Sequence, residues 1–255
     1  MNIFPTLGAS ALGLLFTPVM VTILNRMPDR SFCDYGETPE ERHHAPRITY
    51  KKQGWAAGLF TAVVFALLFV RFGFTLMWLF LCLHCVALTM ISLSDLRYSI
   101  IPDELLIGAG VFALGTLAVR FVAAPTVQVL LSALFGALAG AGLIFVLNLF
   151  GRVLYGKEDK GLLERLLHGR DALGMGDLKL LAVCGMACGP ADILISALLG
   201  IFCAGIFFAV ALALKRMKSD QFYPLGPFLV LGVCLTLCFR PYIDAAIAWY
   251  LSLLM

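Results

Sequence analysis

Two aspartates stand at the edges of long apolar runs, where an ionisable group is costly unless it has a partner or a task. Asp95 closes one run, after Met90-Ile91-Ser92-Leu93-Ser94, and Asp177 opens another, within Gly174-Met175-Gly176-Asp177-Leu178-Lys179. Two carboxyl groups within hydrogen-bonding distance cannot both ionise cheaply, so they hold one proton between them. Such a pair can hydrolyse a peptide bond. The ionised member takes a proton from water, and the protonated member donates to the carbonyl oxygen under attack. Because the two titrate as a unit, neither role belongs permanently to one residue. Gly174 and Gly176, lacking side chains, let an extended backbone approach Asp177 and allow a tight loop. Position alone serves a plainer role equally well: aspartate is favoured at helix starts, and either residue could be a cap. Lys179, two residues beyond Asp177, would not face it squarely on a helix, so a salt bridge between them is not the obvious explanation.

The remaining polar residues have simpler explanations. His84 lies mid-run, eleven residues before Asp95 or about 16 Å along a helix, and reads as a hydrogen-bonded interior histidine. His43, His44 and His168 fall in polar loops, as does Glu158-Asp159-Lys160. Asp103 and Glu104 follow Pro102 and suit a helix start, with Asp103 near enough to Asp95 to perturb it. Asp192, at the start of a later run, is explained by capping. Eight cysteines are present, seven of them within apolar runs, where a cysteine is a small packing residue. There is no Gly-rich phosphate loop, no Gly-x-Ser-x-Gly and no His-Glu-x-x-His, and no cofactor or metal is expected.

For the two aspartates to meet, the chain must bring them to one face of a membrane. Of its 255 residues 61% are hydrophobic and 14% charged, with mean hydropathy +0.93. Soluble domains carry closer to a quarter of charged residues. Apolar runs near 20 residues fill most of the length, predicting an all-α, polytopic transmembrane bundle of about eight spans. The expected spans are 3–24, 55–70, 74–94, 104–119, 127–150, 178–188, 191–214 and 222–239, with the role of 241–255 left open. The first run is too long for a signal-peptide core and has no basic flank before it, so it is expected to be retained. Two parts follow: 1–54, a span plus a polar loop, and 55–255, embedded in the membrane.

Charge sets the orientation. Six Lys and Arg lie in 25–54, six in 151–179, one at Arg97, and three at Lys215, Arg216 and Lys218. Only Arg71, Arg120 and Arg240 fall on the other side, so sixteen stand against three. This places the large loops in the cytoplasm and the N-terminus outside. The basic clusters flank apolar spans and predict contact with a lipid bilayer, not with nucleic acid. Both loops around 178–214 are basic, so that stretch must cross an even number of times, with Gly189-Pro190 as its turn. Its first limb, about 11 residues or roughly 16 Å, is short of the ~30 Å hydrocarbon core. Either the bilayer thins there, or the residues before Leu178 lie in a wet, protein-lined recess. Asp177 is the residue just before it. Residues 162–167 form a short amphipathic piece expected on the membrane surface.

Three segments together resemble the type IV prepilin peptidases, membrane members of the GxGD aspartic peptidases. Asp95-Leu96-Arg97-Tyr98-Ser99-Ile100-Ile101-Pro102-Asp103 is similar to the family's first motif, an aspartate leading into Ile-Pro-Asp/Asn. Gly174-Met175-Gly176-Asp177-Leu178-Lys179 is similar to the GxGD-x-K segment, and Pro224-Leu225-Gly226-Pro227-Phe228-Leu229 to a Phe-Gly-Pro-Phe-Leu segment near the last span. The resemblance covers roughly 74–239. It implies that 55–255 is a peptidase domain with Asp95 and Asp177 catalytic. It also implies cleavage of leader peptides from type IV prepilin or pseudopilin precursors at the cytoplasmic side of the bacterial inner membrane. Members that also methylate the new N-terminus carry two Cys-x-x-Cys pairs, a zinc element, in the first polar loop. This loop has Cys33 alone, and Cys33 with His43 and His44 lacks the count and spacing of a four-ligand site. The resemblance therefore supports the peptidase and not the methyltransferase. Presenilin-like peptidases pair GxGD with Tyr-Asp and Pro-Ala-Leu, where this chain has Ser94 before Asp95 and Pro224-Leu225-Gly226. A proton-coupled transporter would instead place carboxylates near the bilayer centre and relate two halves by a repeat, and the sequence has neither. A non-catalytic component of a secretion apparatus is the other alternative.

Overall fold

Apolar stretches of this length must satisfy their own backbone groups in a bilayer, and helices do so within one segment. The computed structural model describes residues 3–33, 48, 53–155, 174–215 and 224–254. Among these are eight α-helices and no strand: α1 Ile3–Arg26, α2 Trp55–Phe72, α3 Leu76–Tyr98, α4 Asp103–Ala123, α5 Val127–Tyr155, α6 Met175–Cys188, α7 Pro190–Ala213 and α8 Gly226–Leu254. Seven are long and apolar enough to cross a membrane, as in a multi-pass membrane protein. The exception is α6, whose 14 residues reach about 21 Å. His43, His44, His168, the 158–160 triplet and the surface piece expected at 162–167 lie outside the described residues.

Local chemistry sets the helix ends. The Thr75 side chain caps α3 by accepting from the Trp78 amide at 3.2 Å. Ser99, at φ 54°, ends α3 in the left-handed region, and Pro102 then starts α4 with Asp103 and Glu104 in its first turn. Gly189, at φ +95°, makes the turn between α6 and α7, with Pro190 opening α7. The expected hairpin at Gly189-Pro190 is therefore present. The segment 241–255, whose role the sequence left open, continues α8 to Leu254 through a kink, with Phe239 at φ −111° and ψ 15°. Pro241 has no N–H to give the Leu237 carbonyl, and the Arg71 guanidinium donates to it instead.

Packing follows the chain, with α1 on α2, α3 on α4, α5 on α6 and α7 on α8. Lipid supplies no hydrophobic drive between helices, so small residues that let backbones approach do much of this work. Gly136 of α5 and Gly185 of α6 face each other's carbonyl oxygens, leaving no room for a side chain on either. Gly200 of α7 meets the Phe228–Leu229 backbone of α8 in the same way. The centre of the bundle is α3, buried along most of its length against α1, α2, α4 and α8. His84 is fully buried there with Nδ1 3.0 Å from the Ala109 carbonyl, the interior histidine its position suggested.

Candidate functional site

Three helix ends converge at one end of the bundle. The last turns of α3 carry Asp95, the first turn of α6 carries Asp177, and α8 begins at Gly226. Asp95 lies inside α3, one turn before its left-handed end, so it caps neither α3 nor α4. Asp177 is the third residue of α6, after Gly174 at the N-cap, and its carboxyl accepts from the Gly174 amide. It thus does part of a capping residue's work as well. The two side chains are only 6% and 8% accessible. They nevertheless lie within range of each other's charge. The fold therefore brings together the two residues singled out from the sequence.

The electrostatics favour one negative charge and oppose two. The N-termini of α6 and α8 both point at the pair, and helix N-termini attract anions. The Gly226 amide donates to the Asp95 carboxylate. Among the described residues no ion pair reaches either aspartate. Lys179 instead holds Asp103, with Nζ 2.7 and 3.0 Å from its two carboxyl oxygens. The expected disturbance of Asp95 by Asp103 therefore gives way to one from Asp177. Two desolvated carboxyls that no ion pair reaches among the described residues are costly to charge together.

Between α3 and α4 the chain is held tightly. The Ser94 hydroxyl donates to the Ile100 carbonyl at 2.9 Å, fixing the loop that carries Ile101 toward the site. The first polar loop is tied to the same end. The short turn Asp29–Phe32 places Phe32 on the Tyr98 ring, centroids 4.4 Å apart, and the Ser31 hydroxyl donates to Glu104 at 2.7 Å. Asn25 clasps Ile48 through two hydrogen bonds of 3.0 and 3.2 Å, closing the base of that loop. The Cys33 thiol donates to the Asp29 carbonyl at 3.3 Å.

Residue types and spacing missed two features. A backbone amide has no sequence signature, so the contact from Gly226 to Asp95 was invisible, although the Pro224-Leu225-Gly226-Pro227 segment marked the place. Ile101, apolar and in a loop, gave no chemical signal of its own, although the segment ending Ile101-Pro102-Asp103 marked its place.

The chain matches the Type IV leader peptidase family over residues 82–210, and it belongs to that family. It is similar to the "Prepilin leader peptidase/N-methyltransferase" of Bacillus subtilis (strain 168), with 25% identity over 200 residues covering 78% of this chain and 69% of that protein. The protein of the same name from Burkholderia pseudomallei (strain 1026b) is 34% identical over 165 residues, 61% of this chain and 44% of its own. That from Escherichia coli (strain K12) is 29% identical over 189 residues, 72% of this chain and 68% of its own. The chain thus spans less than half of the Burkholderia relative and just over two thirds of the other two. No solved structure matches the chain.

Proposed function

We propose that this protein is a membrane aspartic endopeptidase that removes the leader peptides of type IV prepilins or pseudopilins, with Asp95 and Asp177 as its catalytic pair. The observation that carries this is the convergence of two buried carboxyls, from helices far apart in sequence, that no ion pair reaches among the described residues. A structural aspartate at such depth would be expected to have a cation beside it.

One carboxyl is ionised and the other protonated. The ionised member takes a proton from a water molecule as its oxygen bonds to the peptide carbonyl carbon. The protonated member donates to the carbonyl oxygen, giving a neutral tetrahedral diol. The C–N bond then breaks as the carboxyl that took the water's proton passes it to the nitrogen. A diol hydroxyl gives its proton to the other carboxylate and becomes the carbonyl of the new acid, so the pair returns to its singly protonated state. Gly174, where an added Cβ would come no nearer than 3.7 Å to Asp177 Oδ2, leaves space beside Asp177 for a substrate backbone, whereas the space beside Gly176 is taken by Ile101.

The basic residues of 25–54, 151–179 and 215–218 support a site at the cytoplasmic face of the inner membrane, with the N-terminus outside. Residues 55–255 form the peptidase unit, and 1–54 supply a span and a loop pinned to Tyr98 and Glu104. N-methylation is not part of the proposed activity: Cys33 is the sole cysteine of its loop, and a structural zinc site takes four ligands. A transporter is disfavoured because the buried carboxyl pair lies at helix ends, away from mid-span.

The test is cleavage of a type IV prepilin precursor by the purified protein. Asp95→Ala and Asp177→Ala should each lose at least about 10³-fold in rate while remaining folded. Full cleavage by either variant would sink the assignment.

A further inference from the structure

The geometry points to Ile101 as a positioning residue that sets the separation of the two aspartates. The inference rests on the catalytic pair proposed above and adds the element that spaces it.

Ile101 stands in the short connection between α3 and α4, held from two sides. The Ser94 hydroxyl bonds the carbonyl just before it, and Pro102 follows it with a fixed φ of −64°. Its side chain reaches into the gap between the starts of α6 and α8. A Cβ placed on Gly176 would lie 3.0 Å from Ile101 Cβ, 3.2 Å from Cδ1 and 3.3 Å from Cγ1. One placed on Gly226 would lie 3.5 Å from Ile101 Cδ1 and 2.5 Å from Asp95 Oδ2. One isoleucine therefore fills the space that side chains at both glycines would occupy. Gly176 precedes Asp177 in the chain, and the Gly226 amide holds Asp95.

The consequence is mechanical. The start of α6 carries Asp177, and the start of α8 carries the donor that fixes Asp95. A branched, stiff side chain wedged against both keeps their distance constant. Ile101 touches no reacting atom, so its effect must pass through the carboxyls. The strength of coupling between two carboxyls sharing a proton depends on their separation. A looser gauge lets them drift apart, and their two apparent ionisations move closer together. Other ionisable groups stand near this end: Arg97 and Tyr98 on α3, Asp103 and Glu104 on α4, Lys179 on α6, and Asp29 and Arg30 on the short turn before α2. The first turn of α8 has none. All of these groups are kept in the Ile101 variants, and the effect of the Lys179–Asp103 pair beside the gap is read separately from Lys179→Met.

The experiment compares wild type, Ile101→Val and Ile101→Ala in cleavage of a type IV prepilin precursor across pH, with thermal unfolding measured on the same samples. Ile101→Ala should lower kcat by about 10- to 100-fold with KM little changed, as sub-ångström misplacement of catalytic groups does. Its bell-shaped pH profile should be narrower than that of the wild type. Ile101→Val keeps the Cβ contact with Gly176, loses Cδ1, and should fall between the two. If Ile101→Ala does not fold, the profile of Ile101→Val decides, narrower for the proposal and unchanged against it. A folded Ile101→Ala with wild-type kcat and bell width overturns the gauge and leaves the catalytic pair standing. Cleavage by Asp95→Ala or Asp177→Ala would overturn the pair itself.

Discussion

Asp177 and Asp192 occupy the same local position and have different surroundings. Each is the third residue of its helix, behind a glycine N-cap: Gly174 before α6 and Gly189 before α7. Each starts a membrane-embedded helix where an anion suits the dipole. Asp192, at the far end of the bundle, has Arg240 Nε 2.7 Å from Oδ1, and Arg240 also reaches Asp244 at 2.8 Å. Arg71 and Arg120 finish that end by donating to the Leu237 and Ala187 carbonyls. Asp177, at the near end, faces another aspartate. Local sequence places two aspartates alike, and tertiary packing makes one an anchor paired with Arg240 and sets the other near Asp95. Among the described residues it is the partner of each aspartate, a cation at Asp192 and a second carboxyl at Asp177, that separates the two.

That contrast can be broken in graded steps. The strongest is Gly226→Ala at the near end. Its new Cβ would stand 2.5 Å from Asp95 Oδ2, so the carboxyl must swing aside. Cleavage of a prepilin should fall about 10- to 100-fold in kcat, while the unfolding temperature changes little. At the far end the pattern should invert. Asp192→Asn leaves Arg240 with Asp244 alone and should cost about 1–3 kcal/mol of stability, measured as a lower melting temperature in detergent. Its cleavage rate per folded molecule should stay near that of the wild type. The smallest effect belongs to Lys179→Met. Its partner Asp103 is 55% exposed, and pairs of that kind contribute under about 1 kcal/mol. A large loss of cleavage in Lys179→Met would mean that Lys179 acts on the pair directly.

Much of this was legible in the sequence because membranes simplify the problem. Length and hydropathy set the helices, and all eight expected spans have a counterpart. Ends shifted by a few residues where the helix outlasts the apolar run, as at Asp95, which lies inside α3. The hairpin at Gly189-Pro190 followed from counting charges, since two basic flanks demand an even number of crossings. Lys179 was seen not to face Asp177, but its partner Asp103 is 76 residues away and no local pattern names it. The continuity of α8 through Pro241 was hidden for a similar reason. It depends on Arg71, 166 residues distant from the carbonyl it satisfies. Contacts made by backbone, such as Gly226 to Asp95, or by an apolar wedge, such as Ile101, leave no mark of residue type. They need the fold.

The most direct measurement sets the two look-alike aspartates against each other. Purified wild type, Asp177→Asn and Asp192→Asn are given the same type IV prepilin precursor, and initial cleavage rates are compared per folded molecule. Asparagine keeps the shape of each side chain and removes the ionisable proton. The catalytic-pair account predicts that Asp177→Asn loses at least about 10³-fold while Asp192→Asn cleaves within a few-fold of wild type. Equal losses in the two variants, or continued cleavage by Asp177→Asn, would contradict it.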